Sequence, residues 1–238
     1  MPFYFYGFDW TYLVLVLPCV LLAMWANSSV NRTFKKYSQQ HSRRNITGAD
    51  AAQRVLLSHG VRNVRIEHVS GNLTDHYDPK ANVIRLSDSV YNSTSTAAIG
   101  VACHEAGHAV QYAQGYFPIK IRSAIIPITN IGTKIAMPLI LLGLVLTFLE
   151  NFSYTFIYLG IACFGLSFLF QLITLPVEFN ASRRAISAID ASGILSDEEL
   201  VGAKKTLSAA AMTYVAAAAV ALAQLLRLIL IFGKRRRD

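Results

Sequence analysis

Charge is scarce in this sequence. Asp, Glu, Lys and Arg make up 15% of its 238 residues, while 53% are hydrophobic. That balance is too apolar for an ordinary soluble domain and points to the membrane class. Cysteine is scarce as well. Cys19, Cys103 and Cys163 lie far apart and two fall inside apolar runs, so neither a disulfide framework nor a cysteine-rich zinc site is expected. A cytoplasmic redox environment would suit such a chain. No Lys or Arg precedes the first apolar run and no A-x-A site follows it, which argues against a cleaved signal peptide. There is no internal repeat, and the only biased tract is a run of alanines near the C-terminus.

The charge that is present is uneven. The net value is +8, and much of it sits beside hydrophobic runs. Arg32, Lys35, Lys36, Arg43 and Arg44 follow the first run, and Lys234, Arg235, Arg236 and Arg237 lie at the C-terminus. Clusters so placed read as signals of membrane orientation and contact with anionic lipid, not as a nucleic-acid footprint.

Tyr12 to Ala26 is almost wholly apolar and near the length of a bilayer span once its flanks are counted, with Trp10 and Trp25 at interfacial positions. From about Val30 to Ser123 the chain reads as a soluble domain. Thr47 is placed to cap a helix running to about Ser58, with Asp50 in its first turn and Gly60 as its stop. Val61–Val69 and Val83–Leu86 read as strands, with turn chemistry at Asp78, Pro79, Lys80 and Asn82. Thr96–Ala113 reads as a helix, so the order is helix, strand, strand, helix. Ile135–Leu149 and Phe152–Val177 form a second and third apolar run, separated only by Glu150 and Asn151, as in a transmembrane hairpin. Ala181–Ala191 reads as a separate helix, and Ser196 with Glu199 as the capping box of the next. That last helix is alanine-rich over 209–223 and interrupted by Arg227, a costly residue at mid-bilayer, so it either spans or lies against the other helices.

The chemistry concentrates in Cys103-His104-Glu105-Ala106-Gly107-His108-Ala109, which contains H-E-x-x-H. Helical positions four apart share a face, with Cβ atoms roughly 5–6 Å apart. Two imidazoles at that spacing can hold one Zn²⁺ at about 2.0–2.1 Å each. Glu105 is rotated away from ligation and suits a general base acting on water. The bland alternative is a helix with two incidental histidines. The motif's place inside a predicted helix, flanked by Ile99, Val101 and Val110, favours zinc. No histidine follows His108, which excludes the H-E-x-x-H-x-x-G-x-x-H arrangement and leaves carboxylates as candidates for a third ligand. Glu178 stands out, in Leu175-Pro176-Val177-Glu178-Phe179-Asn180-Ala181 just after an apolar run. The competing reading is a helix-start glutamate favoured by the dipole.

The stretches H-E-A-G-H-A-V-Q, Leu73 to Pro79 and Leu175 to Ala185 resemble the YugP-type membrane zinc metallopeptidases. The resemblance runs from the first span to the alanine-rich helix. It implies a zinc-dependent peptidase and supports Glu178 as third ligand. The arrangement is more distantly similar to HtpX and the prenyl-protein (CAAX) proteases. There an aspartate four residues beyond the ligand glutamate supports a zinc histidine. Here that position is Ser182, a weaker partner, and Asn180 is placed to share the role.

Other polar residues have plainer readings. Asp75, His76 and Asp78 look like turn chemistry before a metal cluster. Arg183 and Arg184 look like positive-inside charge before a carboxylate or phosphate site. Tyr214 is either an interface anchor or an oxyanion donor. Val83–Leu86 is either an internal strand or a free edge for an extended peptide.

The expected architecture is a mainly α membrane protein, a transmembrane helical bundle carrying a small α+β zincin-like domain. Residues 1–30 would be the N-terminal span and 31–123 the zincin-like domain. Residues 124–177 would be the hairpin, and 178–238 the third-ligand helix with the alanine-rich membrane-associated helix. The expected activity is endoproteolysis of membrane or membrane-proximal proteins, with Zn²⁺ on His104, His108 and Glu178 and Glu105 as base. The rival is a zinc-stabilised scaffold without catalysis. Expected partners are the lipid bilayer and a protein or peptide substrate, with no nucleic acid. A homo-oligomer or a regulatory membrane partner is compatible with the sequence. The cations after the first span place the site on the cytoplasmic side, although a spanning last helix would put Lys234–Arg237 outside, against the rule.

Overall fold

A computed structural model describes residues 4–5 and 8–233. The chain is a mainly helical membrane protein with a small α+β part. Four helices are long and apolar enough to cross a membrane: Tyr12–Tyr37, Phe117–Val145, Phe152–Ala191 and Asp197–Phe232. The chain divides into two compact units. One contains residues up to Trp25, Ile121–Leu175 and the chain from Thr213 on; the other contains Ala26–Lys120 and Pro176–Met212.

In the first unit, Tyr4–Phe5 (β1) pairs antiparallel with Phe8–Asp9 (β2). A π-helical turn at Tyr12–Val16 leads into α1, Leu17–Tyr37. Helix α4 is Phe117–Val145 and α5 is Glu150–Ala191. These two pack closely because small residues let the backbones approach. A Cβ on Gly160 would lie 2.8 Å from the Ala136 carbonyl oxygen. Thr133 and Ser167 hydrogen-bond at 2.8 Å, and the Ser153 hydroxyl donates to the Gly143 carbonyl at 2.7 Å. Ile140, Ile157, Leu228 and Phe232 form a small buried cluster. Arg227 of α6, Asp197–Phe232, forms an ion pair with Asp9 and lies over the Tyr12 ring, so the cation that interrupts the apolar run is not left bare.

In the second unit, α2 (Gly48–Ser58) starts with Thr47 and Asp50 satisfying each other's backbone N–H groups and stops at His59-Gly60. Arg65–Val69 (β3), His76–Asp78 (β4) and Val83–Ser87 (β5) form a sheet in the order β3-β5-β4, parallel on one side of β5 and antiparallel on the other. Helix α3, Thr96–Ala113, starts at Ser95, whose hydroxyl accepts from the Ala98 N–H. Leu56, Ile84, Leu86, Ile99, Ile189 and Ile194 are fully buried in the shared core. At the start of α6, Ser196 and Glu199 exchange capping hydrogen bonds.

Four expectations need correction. His76–Asp78, read as turn chemistry, is a strand. Of its three residues only Tyr77 favours a strand, and pairing with β5 supplies the hydrogen bonds. Val83–Leu86 is central in the sheet, so it offers no free edge; the free edges belong to β3 and β4. The apolar run that opens at Ile135 belongs to a longer helix that begins at Phe117, ahead of the hairpin start set at residue 124, because Lys120, Arg122 and Lys134 dilute the apolar signal along it. Glu178 does not begin a helix. Helix α5 runs unbroken through Pro176 to Ala191, since one missing N–H is tolerated in so long and well-packed an element. The cluster Lys234–Arg237 lies outside the described residues.

Candidate metal centre

Helix α3 presents His104 and His108 one turn apart, and α5 presents Glu178 to both. The His104 Nε2 lies 3.2 Å from Glu178 Oε2 and the His108 Nε2 lies 3.4 Å from the same oxygen. Ligand atoms about 2.0–2.1 Å from one tetrahedral ion lie about 3.3–3.4 Å apart, so the spacing fits zinc. Among the described residues this is the one group of three or more His, Cys, Asp or Glu side chains gathered within metal-binding range, all ligand atoms lying within 4.8 Å. His108 and Glu178 are buried and His104 is nearly so. Burial disfavours a charged imidazole at His108. The Glu178 and Glu105 carboxylates outweigh it and raise that imidazole's pKa above the ordinary value.

Gly107 makes this meeting possible. A Cβ there would lie 2.7 Å from the Ala181 carbonyl oxygen and 3.3 Å from the Ala181 carbonyl carbon and Cα. The two helices touch backbone to backbone one residue from His108 and one turn from Glu178. Only glycine admits that contact.

Each histidine is held through its other ring nitrogen. His104 Nδ1 is 3.1 Å from the Ser182 hydroxyl, and His108 Nδ1 is 3.0 Å from Gln111 Oε1. A proton on each Nδ1 donates to these oxygens and leaves both Nε2 lone pairs facing Glu178. Gln111 is fully buried. Its amide nitrogen donates to the Val177 carbonyl at 2.8 Å and to Asn180 Oδ1 at 2.9 Å, which ties α3 to α5 beside the centre. Asn180 is thus linked to His108 by way of Gln111, and among the described hydrogen bonds none joins it to a histidine ring. Asn180 Oδ1 also accepts from Arg184 Nε at 2.7 Å.

Gln111 has no role in the reading of the sequence alone. Its position three residues beyond His108, on the same helical face, is the signal that would have found it. Glu105 is buried on α3, and its charge is felt by Asp75, which lies just before β4. Burial first, and then that charge, raises the Asp75 carboxyl above its usual range, partly offset by hydrogen bonds from Ser87. Asp75 accepts from the Ser87 N–H and hydroxyl, His76 bonds to the Thr74 carbonyl, and Asp78 pairs with Arg85. These three side chains are thus engaged locally and do not gather as a metal cluster. Tyr214 lies in α6, in the other compact unit.

A buried His-His-Glu group held on two helices of a membrane protein defines a candidate zinc enzyme of the H-E-x-x-H kind. The chain belongs to the family described as "Putative neutral zinc metallopeptidase", which it matches over residues 12–233. It is 44% identical over 227 residues, 95% of this chain and 99% of the relative, to the "Putative membrane protease YugP" of Bacillus subtilis (strain 168). No solved structure matches it.

Proposed function

We propose that the protein is an integral, multi-pass membrane zinc endopeptidase that cuts membrane or membrane-proximal proteins. The observation that carries this is the convergence of His104 Nε2, His108 Nε2 and Glu178 Oε2 at ligand spacing, with each histidine braced through Nδ1. His104, His108 and Glu178 would hold the ion. Zinc bound there supplies Lewis acidity, which polarises a peptide carbonyl and lowers the pKa of water. Glu105 accepts the proton of the attacking water as its oxygen bonds to the carbonyl carbon. The same carboxyl then donates that proton to the departing amine as the C–N bond breaks. Ser182 and Gln111 keep the imidazoles in the tautomer that faces the ion. The free edge of β4, which follows directly on Asp75, suits pairing with an extended substrate backbone.

In this reading residues 31–123 form the zincin-like domain, and the last part of α5 brings the third ligand. Four crossings place the outer ends of the first and last spans on one side, in keeping with the Asp9–Arg227 pair. The five cations after the first span support a cytoplasmic catalytic side. Labelling of an Asn45→Cys variant from outside intact cells would reverse that orientation.

The direct test is zinc content in detergent-purified protein, with cleavage of an unfolded protein substrate alongside. Wild type should carry about one zinc and Glu178→Ala little. Glu105→Gln should keep zinc and lose cleavage by about 100-fold or more. Zinc fully retained in Glu178→Ala removes the proposed ligand set. Zinc bound without hydrolysis in wild type leaves the scaffold reading in its place.

A further inference from the structure

Adjacent arginines on α5 have different surroundings. Arg184 is committed: its Nε donates to Asn180, its Nη1 donates to Gln114 at 2.5 Å, and its guanidinium lies over the Tyr116 ring. Arg183 is exposed and lines a groove of about 430 Å³ between α5 and the first half of α6. Phe179, Ser182, Arg183 and Ile186 recur at helical spacing along one wall, and Lys204 and Leu207 stand on the other. No acidic side chain lines the groove. Among the described residues no ion pair engages Arg183 or Lys204. The volume falls within the range of small-ligand sites. Ser182 links it to the metal centre, since the side chain that lines the groove also holds the His104 ring.

We infer that this groove is a substrate subsite that takes a peptide segment pairing an apolar side chain with a carboxylate, so that cleavage favours peptides acidic close to the scissile bond. This rests on the peptidase reading. The apolar side chain lies against Phe179, Ile186 and Leu207, and the carboxylate pairs with Arg183 and Lys204. Charge complementarity calls for an anion, and the shared Ser182 favours a peptide over a lipid, because an occupant here lies one side chain from His104.

The test uses full-length, zinc-loaded protein in neutral detergent and internally quenched apolar peptides. A single Glu, Gln or Lys is scanned over three positions on each side of the centre. Wild type should cut the best-placed Glu peptide roughly three- to tenfold more efficiently than its Lys counterpart, mainly through KM, with the preference shrinking at high salt. Arg183→Glu with Lys204→Glu should reverse the order. Binding is read separately, as fluorescence anisotropy of the same peptides carrying a dye. Charge-selective binding without cleavage would keep the subsite and remove the peptidase reading. Cleavage with no charge preference in either protein would overturn the subsite and leave the peptidase intact. Charge reversal that alters binding to phosphatidylglycerol vesicles but not to peptides would also overturn it, because the groove would then serve a lipid headgroup.

Discussion

Replacing Gly107 with alanine sets two physical effects against each other at one atom. In the middle of α3, alanine is favoured over glycine by about 1 kcal/mol of intrinsic helix propensity. Against it stands the contact with α5, where the new methyl would lie 2.7 Å from the Ala181 carbonyl oxygen. An ordinary Cβ contact is at least 3.4 Å, so the helices must separate by about 0.7 Å. Overpacking of this kind costs about 1–3 kcal/mol, which outweighs the propensity gain. The consequence for the site is larger. Zinc sites tolerate deviations of about 0.2 Å in ligand distance, and Glu178 and Ser182 flank Ala181 on the helix that must move. Gly107→Ala should therefore lose most of its zinc and melt earlier. The assay is elemental zinc per purified chain, together with a thermal melt. Gly165→Ala is the control: nothing lies within 4 Å of its would-be Cβ, so it should keep zinc and a wild-type melting temperature or a higher one. A Gly107→Ala protein with full zinc and unchanged or raised stability would refute the argument that helix contact sets the ligand spacing.

Three further outcomes follow from single side chains. Gln111→Leu fills similar volume but removes the acceptor for His108 Nδ1, so zinc affinity should fall by about 10–100-fold in a chelator competition titration. Ser182→Ala should cost less, because Ser182 is only partly buried and water can replace its hydroxyl. Asp9→Leu leaves Arg227 without its partner in an apolar helix and should lower thermal stability by up to about 3 kcal/mol. Combining it with Arg227→Leu should restore most of that loss. A double variant no more stable than Asp9→Leu alone would show that the pair does not couple the first strand pair to the last helix.

The pairing of Arg227 with Asp9 also bears on how the last helix sits in the bilayer. A lone arginine in an apolar run argues against a span, whereas a paired one with its guanidinium over Tyr12 carries a smaller penalty. All 36 residues of α6 form one helix with Arg227 near its far end, which leaves room for a full crossing before it.

The sequence by itself determined whatever depends on neighbours within a turn or two. Apolar runs marked the membrane helices, although Lys120, Arg122 and Lys134 hid the first half of α4. Thr47 with Asp50 and Ser196 with Glu199 marked two helix starts, because a cap and its partner lie three residues apart. The two histidines and Glu105 were legible because one helical turn fixes their common face. Tertiary structure alone decided what meets them. Glu178 reaches His104 across 74 residues, Ser182 across 78, and Gln111 reaches Val177 across 66. Strand β4 exists because β5 pairs with it, since only Tyr77 of its three residues favours a strand. Arg183 and Arg184 read alike as positive charge, and only their surroundings separate the tied residue from the one that lines the groove. Local signals are written in spacing along the chain. Contacts between distant segments depend on how closely helices approach, and here a single glycine facing a carbonyl oxygen sets that approach.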